Sequence, residues 1–219
     1  GDLKVAHCDD VVCGSAKITT LVSQGDVGRF TSITIGADGL ALISYYDVTN
    51  QDLKVAHCVD VVCSSATEST LDSRGDVGQH SSVAIASDGL ALISYYDATN
   101  GDLKVTHCTD LVCSSARVSV LHSKDSVGQF TSIAIGPDGR GVISYYDATN
   151  GDLRVAHCAD IDCHSATHTA VQGQDDVGQF TTIIIGTDGL GLISYYDATN
   201  GDLKVAHCSN SFCIPYHRR

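Results

Sequence analysis

Ile193-Ser-Tyr-Tyr-Asp-Ala-Thr-Asn-Gly-Asp-Leu-Lys-Val-Ala-His-Cys208 recurs through the chain and organises all of it. Near-identical copies begin at Ile43, Ile93 and Ile143, and the second half stands once more at Gly1–Cys8. The offset is 50 residues each time, with no insertion. A fixed period of this length marks an array in which each repeat is one supersecondary unit and neighbours bury one another's apolar faces.

Inside the stretch, Leu192, Ser194 and Tyr196 alternate with Ile193, Tyr195 and Asp197, a period of two rich in β-formers. Asn200-Gly201 supplies turn chemistry, and Leu203, Val205 and His207 return on one face of a second strand. Gln51 replaces the glycine in one copy, where a two-residue turn with both residues left-handed would be strained. The spacing therefore predicts a longer loop, such as Asp97-Ala-Thr-Asn-Gly-Asp102.

Outward from the stretch, Phe30-Thr-Ser-Ile-Thr-Ile35 reads as a strand and Ala37-Asp38-Gly39 as a hairpin turn. The copy Thr181–Ile185 is apolar on both faces, as in a strand covered on both sides. Ala16–Val22 and its equivalents Ala66–Asp72, Ala116–His122 and Ala166–Gln172 vary most, as an exposed edge strand does. Each repeat thus carries strands a (Thr31–Ile35), b (Leu40–Tyr46), c (Asp52–Cys58) and d (Ala66–Leu71). Four short strands in each unit of this length predict an all-β fold, a β-propeller of 50-residue four-stranded repeats, with a at the channel and d at the rim. The chain reads as a single repeat domain, 1–219, divided into partial repeat 1–28, repeats 29–78, 79–128 and 129–178, and partial repeat 179–219. The tally of four a, four b, five c and four d strands predicts four blades plus a surplus c strand.

The unit "GQFTSIAIG.DG…ISYYDATNGDLKVAHC" resembles the tandem repeat of secreted bacterial proteins taken to be propeller-like, over the whole chain up to Cys213. The resemblance implies the architecture and carries no activity with it.

Twenty-six acidic residues against 13 basic ones give a formal charge of −13, the wrong sign for gripping nucleic-acid phosphates. No apolar run is long enough to span a membrane as a helix. With no initiator Met and no signal peptide, the chain reads as a processed or partial product.

Ten cysteines form five pairs of one spacing: Cys8/Cys13, Cys58/Cys63, Cys108/Cys113, Cys158/Cys163 and Cys208/Cys213. They read as one local disulfide per repeat in an oxidising, secreted or cell-surface location. Each small loop is worth about 2 kcal/mol of chain entropy, and its expected task is to pin the turn after the His-Cys strand. Zinc is the rival, since His7, Cys8 and Cys13 are all possible ligands, but adjacent His and Cys point to opposite faces of a strand.

Two further patterns are candidate sites. Oxygen ligands alternate at Asp47, Asn50 and Asp52, at Asp97, Asn100 and Asp102, at Asp147, Asn150 and Asp152, and at Asp197, Asn200 and Asp202. That spacing suits a calcium loop or a plain capped turn, although the bidentate Glu of a tight calcium site is absent. Tyr45-Tyr46 and its copies suit sugar stacking with Asp47 bonding hydroxyls, or packing between blades and over a sheet edge. Asp26 and its equivalents read as turn caps, with Ser126 in the third copy.

His7, His57, His107, His157 and His207 share one position, which suits packing or hydrogen bonding better than catalysis. Arg29, Glu68, His80, Arg140 and His168 break the repeat at tolerant positions. With no asymmetric catalytic grouping and no cofactor beyond the calcium candidate, the expected function is a non-catalytic extracellular structural or adhesive protein. Its partners would be other copies of itself, joined head to tail through the surplus strand. The alternative is a multivalent, lectin-like propeller that binds extracellular glycan.

Overall fold

The computed structural model of the chain describes residues 1–214. Alternating β-formers punctuated by tight turns fold into hairpins, and successive hairpins lie side by side as small antiparallel sheets. The first sheet pairs β1 (Leu3–Cys8) with β2 (Ala16–Val22). The second holds β3 (Val27–Ile35), β4 (Ala41–Asp47), β5 (Asp52–Cys58) and β6 (Ala66–Asp72). The third holds β7 (Val77–Ile85), β8 (Ala91–Asp97), β9 (Asp102–Cys108) and β10 (Ala116–His122). The fourth holds β11 (Val127–Ile135), β12 (Gly141–Asp147), β13 (Asp152–Cys158) and β14 (Ala166–Gln172). The fifth holds β15 (Val177–Ile185), β16 (Gly191–Asp197) and β17 (Asp202–His207).

These are the blades of a β-propeller. The first strands of the second to fifth sheets, β3, β7, β11 and β15, each touch the next and so lie innermost. The outermost strands β6, β10 and β14 alternate exposed and half-buried residues, which explains why that position tolerates Thr, Glu, Arg and His. The strand tally holds among the described residues, but the ends do not merge into one blade. Strands β1 and β2 form their own sheet, and β15 to β17 remain three-stranded. The expected four blades plus a surplus strand are therefore three complete sheets between two incomplete ones. Pro137 lies in a turn, as its missing N–H requires; Pro215 and the rest of 215–219 fall outside the described residues.

Each interface between blades is a small core. Leu92, Leu103 and Val105 of one sheet pack on Ile133, Ile143, Tyr145 and Ala156 of the next. Ile43, Ile93, Ile143 and Ile193 are all buried in this way. Inner-strand faces lie open at the two ends, against the expectation that Thr181–Ile185 is covered on both sides. Ile33 and Ile35 are 56% and 61% exposed, because no a or b strand precedes the β1–β2 pair in this chain to cover them. Ile184 is 57% exposed, because no sheet follows the fifth in this chain.

The turn Gly25-Asp-Val-Gly28 and its copies, Asp125-Ser-Val-Gly128 among them, do more than turn the chain. Val127 N donates to Gly101 O at 2.9 Å, tying the start of one blade to a turn of the previous blade. Gly128, at φ 100°, lies so close to β9 that an added Cβ would stand 2.6 Å from Leu103 Cα. Only glycine fits both the angle and the approach.

All five cysteine pairs are disulfides with sequence separation 5: Cys8–Cys13, Cys58–Cys63, Cys108–Cys113, Cys158–Cys163 and Cys208–Cys213. No cysteine is free among the described residues, so the sulfurs expected to compete for zinc are covalently engaged. They place the chain in an oxidising environment.

These bridges do more than pin the turn after the His-Cys strand. Cys63 and Cys113 lie beyond their strands, in the loop, yet both are buried, as are Cys163 and Cys213. Each takes a left-handed backbone, Cys63 at φ 50° and Cys113 at 53°. Its N–H donates to a carbonyl three residues back, Asp60 O at 3.0 Å and Asp110 O at 3.1 Å. The loop so folded turns its sulfur inward against the preceding blade. Cys58 and Cys63 pack with Leu3 and Val22 of the first sheet, and Cys108 and Cys113 with Leu42, Leu53 and Val55 of the second. The disulfides are thus part of the apolar cores between blades as well as loop staples. Cys8 and Cys13 are the exception and stay exposed, since no blade precedes theirs in this chain. No helix of the described residues is long and apolar enough to cross a membrane.

Candidate functional site

The antiparallel meander puts the d–a turns and the b–c turns at one end of every blade. Near that end the inner strand of each blade contains a bulge. In the fourth sheet, Gln129 pairs with Tyr146 and Ser132 with Ser144, so Phe130 and Thr131 oppose the single residue Tyr145. The same irregularity recurs in the second, third and fifth sheets. At each bulge an aromatic residue takes a left-handed backbone: Phe30 at φ 51°, His80 at 56°, Phe130 at 53° and Phe180 at 51°. A bulky side chain in that region is strained, and four repetitions of the strain must be offset by what the side chains do. A bulge is also the usual device for re-aiming a side chain beside a site.

The bulges aim all four rings into one row. Phe30 and His80 have centroids 4.4 Å apart, His80 and Phe130 4.5 Å, and Phe130 and Phe180 4.4 Å. Each ring is flanked by the second tyrosine of its own blade, Tyr46, Tyr96, Tyr146 or Tyr196, with centroids 6.1 to 6.4 Å away. The rings and Thr31, Ser81, Thr131, Thr181 and Thr182 border a shallow depression of 250 Å³ across the inner strands. Phe30 is 41% exposed and Phe180 65%. Burial pushes the His80 imidazole down to about 4, so it stays neutral near pH 7 and joins the row as an aromatic.

Residues around the row hold the tyrosines in place. The phenol of Tyr46 donates to Asp76 of the next blade at 2.6 Å, and Tyr146 to Asp176 at 2.6 Å. Tyr96 OH meets Ser126 Oγ at 3.1 Å, so serine at the third copy keeps the bridge that aspartate makes elsewhere. The position expected to be a turn cap is therefore also an acceptor between blades. The other tyrosines, Tyr45, Tyr95 and Tyr145, are fully buried between blades, where burial pushes their phenols up and keeps them hydrogen-bond donors.

The acidic loops are placed differently from a metal cage. Asp47 Oδ1 accepts from Asn50 N at 3.1 Å, and Oδ2 from Asn50 Nδ2 at 2.8 Å. Asp97, Asp147 and Asp197 hold Asn100, Asn150 and Asn200 in the same way. A cation from the next strand then meets each carboxylate: Lys54 at 3.8 Å, Lys104 at 3.0 Å, Arg154 at 3.1 Å, and Lys204 in a close ion pair. The Lys204 and Asn200 hydrogen bonds hold Asp197 at about 2. Asp52, Asp102 and Asp152 pair across the strand ends with Asp47, Asp97 and Asp147. Burial, then the neighbouring carboxylate, raises all three. Asp202 occupies the matching place opposite Asp197. Among the described residues no three metal-ligating side chains converge. The turn closes through Gln51 N or Gly101 N to the Asp carbonyl four residues back, with only that closing residue left-handed, so glutamine is accommodated at φ 63°.

Four of the five recurring histidines face carboxylates of turns and loops. His57 Nε2 lies 2.9 Å from Asp38 in the a–b turn of its own blade, and His157 and His207 meet Asp138 and Asp188 at 3.1 and 2.8 Å. His107 is held between Asp88 at 3.3 Å and Asp162 of the next blade at 2.6 Å. The aromatic row was not singled out by sequence reasoning. Its signal was available: Phe30, His80, Phe130 and Phe180 are in register, each two residues after a Gly that must sit close to the previous blade.

No family model matches the chain, and no curated protein matches it. Solved structures do share the fold. An α-L-arabinofuranosidase from Lactobacillus brevis matches with TM-score 0.56 and 12% identity, over 100% of this chain and 89% of that one. An exo-β-1,3-galactanase from Phanerochaete chrysosporium, solved with β-1,3-galactotriose, matches with TM-score 0.60 and 9% identity, over 89% of this chain and 53% of that one. An intramolecular trans-sialidase from Ruminococcus gnavus matches with TM-score 0.59 and 15% identity, over 84% of this chain and 44% of that one. This chain thus spans about half the length of the last two.

These likenesses correct the expectation that the chain is not an enzyme. Glycoside-acting enzymes are built on this architecture, so near-identical blades do not exclude catalysis. The physical reason is that a pseudo-symmetric frame needs only a few substituted positions to become asymmetric. His80 in the aromatic row, Glu68 and Val22 beside Lys54, and Asp162 on His107 are such positions here. What the comparisons establish for this chain is the propeller fold.

Proposed function

We propose that this protein is a glycan-binding propeller acting outside the cell, and that glycan lies along the row Phe30–His80–Phe130–Phe180. The observation that carries the reading is the row itself: four bulged, left-handed positions accept backbone strain to align aromatic rings at a partly open surface. A sugar ring presents C–H groups on its faces and hydroxyls at its edge. Ring faces meet the first, and the exposed Thr31 and Thr182 hydroxyls and Gln129 and Gln179 beside the row suit the second. The sugars named for proteins of the same fold, galactotriose among them, support this class of ligand. Head-to-tail assembly, expected from the strand tally, has no support in the comparisons.

Affinity electrophoresis through gels containing arabinan, galactan, xylan or no polysaccharide tests the reading. Retardation by at least one polysaccharide is expected, with a loss of tenfold or more in affinity for Phe180→Ala, whose ring is exposed enough to be removed without loss of fold. Equal mobility in every gel, or a Phe180→Ala chain retarded like the parent, overturns it.

A further inference from the structure

The four interfaces between blades are built on one plan, and one of them is left open. The last residue of the outermost strand is Val22, Asp72, His122 or Gln172, and it faces a buried tyrosine of the next blade. Asp72 accepts from Tyr95 OH at 2.8 Å and from Lys104 Nζ at 2.9 Å. His122 Nδ1 meets Tyr145 OH at 3.1 Å, and Gln172 accepts from Tyr195 OH at 2.6 Å. Val22 has no polar atom to offer.

Tyr45 therefore turns to Glu68 of its own blade, donating to it at 3.0 Å. Lys54 Nζ is 3.4 Å from Glu68 and 3.8 Å from Asp47, looser than the 2.9 and 3.0 Å that hold Lys104. The Lys54 and Glu68 side chains are 19% and 35% exposed, against 8% and 2% for Lys104 and Asp72. Beside this looser arrangement lies a cleft of 440 Å³. Leu21 and Val22 line it with aliphatic surface, and Asp47, Asn50, Lys54 and Glu68 with polar groups.

We infer that this cleft is a second saccharide site, for a single neutral sugar ring, separate from the aromatic row. The inference rests on the reading of the protein as a glycan binder. The volume is that of a small-molecule site. An ammonium beside two carboxylates suits adjacent hydroxyls, one accepting from Lys54 and the other donating to the more open Glu68, while the aliphatic wall takes a C–H face. The two carboxylates outnumber the one ammonium, so anionic sugars are disfavoured and a neutral ring is selected.

The test is an NMR titration of the whole chain with galactose, arabinose, xylose and glucose, run beside the polysaccharide gels. At least one sugar is expected to shift resonances of Lys54 and Glu68. Val22→Asp should rebuild the arrangement of Asp72 and Lys104, draw Lys54 away from the sugar, and weaken that sugar tenfold or more while leaving the Phe180-dependent retardation intact. Glu68→Gln, at a side chain open to solvent, should weaken the sugar as well without filling the core. A far-UV spectrum and melting curve confirm that each variant is folded. If no sugar shifts these resonances, or if neither variant weakens the sugar, the second site is overturned and the aromatic-row reading stands or falls on its own gels. If Phe180→Ala leaves retardation unchanged while Val22→Asp abolishes sugar binding, the row is overturned and the cleft stands.

Discussion

Lys104 and Asp72 meet at 2.9 Å across the interface between the second and third sheets, with both side chains almost wholly out of water. Burial works against the Lys104 charge, but the hydrogen bonds and charges of Asp72 and Asp97 more than offset it and hold its pKa above the ordinary value. The pair therefore remains ionic inside a core that is otherwise apolar. Its neighbours at the same position use histidine, glutamine or nothing polar, so the propeller repeats a frame while varying what the frame holds.

Breaking this pair from one side should be costly. Asp72→Ala leaves Lys104 with Asp97 alone and the Tyr95 phenol without its acceptor, and should destabilise by about 3–5 kcal/mol in urea unfolding. Asp72→Asn, which keeps an acceptor for the Tyr95 phenol and leaves Lys104 its ion pair with Asp97, should lose less. An Asp72→Asn chain as unstable as the Asp72→Ala one would show that the charge of Asp72, not its acceptor oxygen, is what the interface depends on.

Burial at the apolar interfaces decides a second outcome. Ile143→Ala removes a fully buried side chain and should cost about 2–4 kcal/mol. Ile33→Ala, at an in-register position on the inner strand that is 56% exposed in this chain, should stay within about 0.5 kcal/mol of the parent. Denaturant melts of the two variants check the contrast.

Acid should begin to weaken the fold above the range where carboxylates titrate. Burial lowers His80 from 6.5 to about 4, and burial with the nearby His168 and Arg154 charges does the same to His122. Within that window the unfolded chain binds protons that the folded chain refuses, so this contribution is present above pH 6.5 and is lost as pH falls toward 4. The loss should be on the order of 2 kcal/mol for His80, and smaller for the more open His122, whose charge water partly screens. His80→Phe, which restores the residue of the other copies, should flatten the slope, and melting temperatures across that range measure it.

Each disulfide should act locally. Non-reducing peptide mapping should return five links, each within one Cys-x4-Cys loop and none between repeats. Replacing Cys158 and Cys163 together by alanine should cost about 2 kcal/mol by the loop-length relation, with more lost from the packing of two sulfurs that sit in the interface core. The same double replacement at the exposed Cys8 and Cys13 should cost the loop contribution alone, and paired urea melts compare the two.

Read from the chain alone, the period, the four-strand unit, the hairpin order, the exposed edge strand and the pairing of cysteines were all legible. These are local properties: alternation sets which residues share a face, and turn chemistry and short spacing set which strands meet. The order of elements also showed that the chain begins with a c–d pair and carries a later a–b–c set. That these remain separate sheets, and that Ile33, Ile35 and Ile184 lie open while Cys63 and Cys113 are buried, emerged only on folding, because burial depends on which blade stands alongside. Folding, too, aligned residues 50 positions apart into the row from Phe30 to Phe180, and opened a cleft beside Val22. In the sequence each of these is one residue in a tolerant column. They become a surface and a cleft when the stacking of blades brings equal positions of successive repeats within van der Waals reach.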